Sequence, residues 1–174
     1  LEKALEEHTP GVVVAVGGDG TINLCATVLK GRPERLGIVP SGSANGMARE
    51  LNLPANTDQL LRIIEEGEVM QADLVQVGKD HYSLHLSDLG MNARIIKRFE
   101  KEGQRGFLGY ARQYFLELWK PRRFRCHIAY DGGEVQHKVL MVVIANATTY
   151  GTGAVVNPDG RMDDGKMEII LIRP

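Results

Sequence analysis

Cysteine is scarce. Cys25 and Cys126 are the only two in 174 residues and lie too far apart for a CxxC pair or a zinc spacing. A disulfide-stapled secreted scaffold is thereby excluded, and reduced thiols in a cytoplasmic protein are the expectation. Long apolar runs are missing: none approaches the roughly 20 residues that a helix needs to cross a bilayer, and Leu1-Glu-Lys-Ala4 lacks the shape of a signal peptide. An excess of charge is missing too. The 21 Lys and Arg residues against 22 Asp and Glu leave a net charge of −1, so no whole-molecule field attracts nucleic acid, and none is expected as a partner. His8, His81, His85, His127 and His137 show no metal spacing and read as structural or exposed. The two commonest nucleotide signatures are also absent: Gly18-Asp-Gly20-Thr-Ile-Asn23 fails GxGxxG at its last position, and no GxxxxGK[ST] occurs.

What is present is an ordinary globular composition, 43% hydrophobic, arranged in two patterns. Residues 1 to 67 alternate helix and strand. Leu1 to Glu7 reads as the end of a helix, and the apolar run Gly11 to Val16 as a strand buried on both faces of a parallel sheet. Thr21 to Leu29 reads as helix, Leu36 to Val39 as strand, Ala44 to Leu51 as helix. Thr57 is the expected cap of a helix through Glu66, whose apolar side is Leu60, Leu61, Ile63 and Ile64. This is the pattern of an open α/β layer. From residue 68 to 174 strands dominate: 69–77, 81–89, 124–130, 134–145 and 167–172, with helices over 94–102 and 107–120 and a hairpin turn at Asp131-Gly132-Gly133. A domain boundary is expected between 67 and 68, give or take a few residues.

The chemistry concentrates in two loops. A strand that ends in Gly17-Gly18-Asp19-Gly20 and enters a helix at Thr21 brings free backbone N–H groups and a helix N-terminus to one point, which suits an anion. Glycine allows close backbone approach, and Thr21 and Asn23 carry donors. Asp19 would repel phosphates unless a Mg²⁺ lies between, or unless it receives a proton from, or orients, an attacking hydroxyl. A plain strand-to-helix turn would also account for the glycines. The second loop, Pro40-Ser-Gly-Ser-Ala-Asn-Gly46, again follows a strand and precedes a helix, so Ser43 and its backbone can converge on the same crevice. Ser43 or Asn45 also suits a helix cap.

GGDGTIN at Gly17 to Asn23, followed by Pro40-x-Gly-Ser-x-Asn45 and then Ala48-Arg49, resembles the catalytic domain of diacylglycerol, sphingosine and ceramide kinases and their bacterial lipid-kinase relatives. The likeness continues through Leu89-Gly90 and through Asn146 to Gly165, looser than in the first third. It implies an α/β nucleotide domain like that of NAD kinases and phosphofructokinases, residues 1–67, and a β-rich, sandwich-like lipid domain, residues 68–174. It implies ATP and Mg²⁺ as cofactors, with ATP contacts at Gly17, Gly18, Asp19, Gly20, Thr21, Ile22, Asn23, Gly42, Ser43 and Asn45. The partner would be a lipid bearing a hydroxyl. Gly46 stands where many diacylglycerol kinases have Asp, which leaves diacylglycerol and sphingoid lipids both open. The resemblance further places the general base in an Asp-Gly-Glu segment past Pro174, for which Asp131-Gly-Gly-Glu134 is a poor substitute, and an Asn-Pro strand before Leu1. The chain is therefore expected to be part of a longer product and inactive alone. An NAD kinase-like enzyme, or a non-catalytic nucleotide- or lipid-binding module, is the alternative.

Two charged clusters remain. Asn157 to Gly165 gathers Asp159, Asp163 and Asp164 on a turn that does not match an EF-hand. The resemblance offers a structural Mg²⁺ held by Asp164 and the carbonyls of Arg161 and Lys166, while a solvated Asp-Gly turn explains it as well. Arg94, Lys97 and Arg98, continued by Lys101 and Arg105, form one basic helix face, and Lys120, Arg122, Arg123 and Arg125 form a second basic group. Either an ordinary solvated face or peripheral contact with an anionic membrane fits them.

Overall fold

β1 (Val12–Gly17) and β2 (Arg35–Pro40) pair in parallel, Val12 opposite Arg35 and Gly17 opposite Pro40, so both strands deliver their following loops to the same end of the sheet. The crossover is α2 (Asp19–Leu29), and α1 (Glu2–Glu7) precedes β1. Ala15, 2% exposed, faces Ile22 of α2, which is fully buried. The opposite face of β1 differs from the expectation of burial on both sides. Val14 and Val16 are 44% and 63% exposed: α2 covers one face of the two-stranded sheet, while on the other the helix Thr57–Glu66 packs against Gly37 of β2 and leaves these two residues of β1 open.

The computed structural model describes residues 1–95, 122–151 and 153–174. After β2 come α3 (Gly46–Glu50) and α4 (Thr57–Glu66). The cap of α4 is Asn56, whose Oδ1 accepts from the Gln59 amide at 3.0 Å, rather than Thr57, which is already the first helical residue. Leu60 is buried and Ile64 packs against Gly37 of β2, whereas Leu61 and Ile63 are exposed: an i, i+4 pair is enough to seat a helix on so narrow a sheet.

Strand structure over 69–77 shrinks to β3 (Val75–Val77), paired antiparallel with β4 (His81–Ser83). β5 (Leu86–Gly90) starts after a break at 84–85 and joins a different sheet, of order β5-β8-β9. The run 134–145 also splits. β7 (Gly133–Val139) pairs with β6 (Phe124–Tyr130) through a two-residue Asp131-Gly132 loop, and β8 (Met141–Ala145) leaves for the sheet that contains β9 (Glu168–Ile172). Residues 91–95 are helical. The rest of the two expected helices, including Lys97 and Arg98, lies outside the described residues.

The compact units do not follow the 67/68 boundary. The first holds Leu1–Leu86 and takes back Ala145–Glu168, and the second holds Ser87–Ile144 and Ile169–Pro174. The first is centred on Ala15, Ile22, Ile38, Met47, Leu84, Ala147 and Met162. Ala147 and Met162 explain the return: they complete a core that residues 1–67 alone leave open. Val139, Val143 and Ile95, all fully buried, belong to the second.

Candidate functional site

The two glycine loops sit side by side at the ends of β1 and β2. The Ser41 amide donates to the Gly17 carbonyl at 2.9 Å, and a Cβ on Gly18 would lie 3.1 Å from the Gly42 Cα. Only glycine on both sides permits backbones this close. The sequence GGDGT also makes the helix start earlier than Thr21: Gly18 is the N-cap and Asp19 lies in the first turn of α2. The first-turn amides have no partner within a helix by its geometry, so those of Asp19, Gly20 and Thr21 are the donors the loop offers. Gly20, Thr21 and Ser43 are exposed.

Asp19 is the tie between the loops. Its Oδ2 accepts from the Gly46 amide and its Oδ1 from the Met47 amide, both at 2.9 Å. It thus caps α3 from another element. The expected caps, Ser43 or Asn45, do not serve. Asn45 takes the cap position with φ +53°, but its side chain turns back to Gly42, accepting from the amide at 2.8 Å and donating to the carbonyl at 2.9 Å. Asn45 therefore shapes the loop from within.

Two residues expected to contact ATP have partners within the fold. Ile22 is core, and its amide donates to the Gly18 carbonyl at 3.1 Å. The Asn23 carboxamide donates to the Tyr82 carbonyl and accepts from the Leu84 amide, both at 2.9 Å, which pins α2 to the chain around β4. Of the other residues expected at the site, Gly20, Thr21 and Ser43 are exposed, whereas the Gly17 and Gly18 carbonyls and both backbone groups of Gly42 are bonded within the loops.

Behind α3 lies a polar layer that sequence reasoning missed. Glu50 accepts hydrogen bonds from the amides and hydroxyls of Thr148 and Thr149, between 2.9 and 3.3 Å. Asn146, fully buried, donates to the carbonyls of Asp73 and Leu84 at 2.9 and 2.7 Å. His85, read as structural or exposed, packs against Gly46, where a Cβ would lie 2.6 Å from its Cε1. Burial lowers the His85 pKa below the usual histidine value, against the pull of the Asp19 and Glu50 carboxylates and a hydrogen bond with the Thr149 backbone. Its Nε2 and the Asn146 Oδ1 are buried without a hydrogen-bond partner among the described residues. The only sequence signal for this layer was the polar run at 146–150 directly after an apolar strand.

The acidic turn is held both from within and by Asp73. Asp164 Oδ1 accepts from the Lys166 amide at 3.0 Å, Asp163 pairs with Arg161 at 3.1 Å, and Asp73 accepts from the Gly165 amide. The Arg161 hydrogen bond lowers the Asp163 pKa and in return raises that of Arg161. Among the described residues no three Asp, Glu, His or Cys side chains gather as a metal cage. Each Asp19 oxygen accepts only one amide, so Asp19 retains lone pairs for a Mg²⁺ that arrives on phosphates, which needs only one or two protein carboxylates. The donor set fits an ion shared with a nucleotide and does not fit a cage of side chains. On the basic side, Arg94 reaches the Arg122 carbonyl at 3.2 Å, which joins the two basic groups at the start of β6.

Comparison with known proteins gives one consistent picture. Residues 1–77 match the diacylglycerol kinase catalytic domain, and residues 88–174 match the YegS C-terminal NAD kinase beta sandwich-like domain. A "Probable lipid kinase YegS-like" of Yersinia enterocolitica is 31% identical over 167 residues, 92% of this chain and 56% of that protein. Its counterpart in Yersinia pestis is 30% identical over 166 residues, with the same coverage. The chain thus spans little more than half the length of these curated relatives. A crystal structure of a diacylglycerol kinase from Bacillus anthracis aligns with a TM-score of 0.74 at 24% identity, over 99% of this chain and 58% of that one, a likeness of fold. An α/β layer of NAD kinase type followed by a β-sandwich-like domain is the architecture these matches and the strand pairing share. The chain belongs to the family defined by the YegS C-terminal NAD kinase beta sandwich-like domain, here preceded by a segment that matches the diacylglycerol kinase catalytic domain.

Proposed function

We propose that the protein transfers the γ-phosphoryl group of ATP to a lipid hydroxyl, diacylglycerol or a sphingoid base being the substrate class. The observation that carries this reading is the Asp19 tie. One carboxylate ties the GGDGT and PSGSANG loops at the ends of two parallel strands, which supports a reading in which the first-turn amides of α2, the Thr21 hydroxyl and Ser43 meet one nucleotide. Phosphoryl transfer depends on positioning and on charge stabilisation, and both require such a preformed cradle. Gly17, Gly18 and Gly20 let phosphate oxygens approach the backbone. Asp19 is the carboxylate placed to meet a nucleotide-borne Mg²⁺ or to orient the lipid hydroxyl. Magnesium, when bound, neutralises charge on the phosphates. A separate ion at Asp164 with the carbonyls of Arg161 and Lys166 is part of the proposal and would brace the 157–166 turn. Peripheral contact with a membrane, through Arg94, Lys97 and Arg98, is part of it as well.

The test is transfer of label from γ-labelled ATP to a panel of diacylglycerols, sphingoid bases and ceramides by the protein together with its natural flanking sequence. A labelled lipid that disappears in Asp19→Ala is the expected result. Label on no lipid of the panel sinks the reading, and label on NAD instead moves the chain to the nucleotide kinases.

A further inference from the structure

The β6–β7 hairpin alternates strictly. Phe124, Cys126 and Ile128 pair with Val139, His137 and Val135 on a face that is partly or fully buried, while Arg125, His127 and Ala129 pair with Lys138, Gln136 and Glu134 on a face where all six are exposed. Arg125 and Lys138 are thus directly opposite one another, an arrangement that repels and destabilises an antiparallel pair. No carboxylate among the described residues pairs with either cation. Exposed Arg123 continues the row two residues upstream, and exposed Arg122 stands beside it. The hairpin's own acids lie at its other end, at Asp131 and Glu134, and Glu134 is held by His127 at 3.1 Å. Along the hairpin the face is therefore polarised, with cations that pair with no carboxylate among the described residues at the open end and acids at the turn.

Unrelieved cross-strand repulsion on a solvated face is compensated when an anionic partner supplies the missing charge. We infer that this hairpin face, through Arg123, Arg125 and Lys138, docks on the anionic phospholipid surface of a bilayer. The inference rests on the lipid-kinase reading for its choice of anion. The face itself favours a bilayer over a nucleic acid, since no aromatic ring alternates with the cations to stack a base. Extended strands present the cations in a flat row, which suits diffuse attraction to many headgroups.

The experiment is co-sedimentation of the intact chain with vesicles of phosphatidylcholine containing phosphatidylglycerol, against vesicles of phosphatidylcholine alone. Binding is expected only to the anionic vesicles, falling as salt rises. Arg125→Gln combined with Lys138→Gln lowers the partition coefficient about 30-fold, two cations near an anionic leaflet each contributing about fivefold. The charge-preserving pair Arg125→Lys and Lys138→Arg retains binding. The neutralised variant melts at or above the temperature of the parent, because a repulsion has been removed. Equal binding to neutral vesicles, unchanged binding of the neutralised variant, or a lower melting temperature in it overturns the inference. Sedimentation reads docking without turnover, so a chain that docks yet labels no lipid breaks the kinase reading alone, and a labelled lipid without docking breaks this one alone.

Discussion

Asp19 and Asp164 stand in similar sequence, each before a glycine, and each carboxylate accepts from the backbone. Their partners are at different ranges. Asp19 takes the amides of Gly46 and Met47, 27 and 28 residues away, and so joins two elements. Asp164 takes the amide of Lys166, two residues on, and closes only its own turn. A carboxylate that bridges loops has a geometry imposed on it by the fold, and imposed geometry is what phosphoryl transfer uses. One that closes a local turn can be replaced by water at little cost.

The sharpest way to break this contrast is to remove each carboxylate. Asp19→Ala strands two buried amides, at about 1–3 kcal/mol for each. By letting the loops drift it should also reduce kcat/KM for lipid phosphorylation by about 100-fold or more. Retention of full activity would show that the tie is structural only. Next in size is Gly46→Ala, whose methyl would press on His85 and Gly151, at a cost of about 1–3 kcal/mol in chemical denaturation. Combining it with His85→Ala should recover part of that loss, and strict additivity would deny the contact.

A smaller effect is expected from pH. Because burial lowers the native His85 pKa, the unfolded chain binds more protons near neutrality. The stability linked to His85 is therefore present above about pH 6.5 and is lost as pH falls through the folded value. The melting temperature of His85→Gln should depend less steeply on pH below that point than the parent's. The smallest effect should be that of Asp164→Ala, a shift in Tm within about 2 °C in the presence of EDTA. A much larger shift that appears only with added Mg²⁺ would turn the acidic turn into an ion site and erase the contrast.

Local signals were read well where the physics is local. The β-branched run before GGDGT, the Asp-Gly hairpin turn and the last strand each depend on near neighbours, and β1, the β6–β7 turn and β9 appear within a residue of expectation. Bonds to distant partners left no local sign. Asn23 is a strut to Tyr82 and Leu84. Ile22 belongs to the core, and Glu50 and Asn146 gave no local sign of the bonds they make.

Sequence alone determined that two glycine loops follow two strands, because glycine spacing and strand composition are properties of adjacent residues. It also determined the family to which that pairing points. Only the tertiary structure decided what Asp19 holds, why Gly46 must lack a side chain, and that residues 145–168 return to complete the first core. Those outcomes depend on which amide, ring or methyl group another part of the chain brings within a few ångströms, and sequence spacing does not encode that distance.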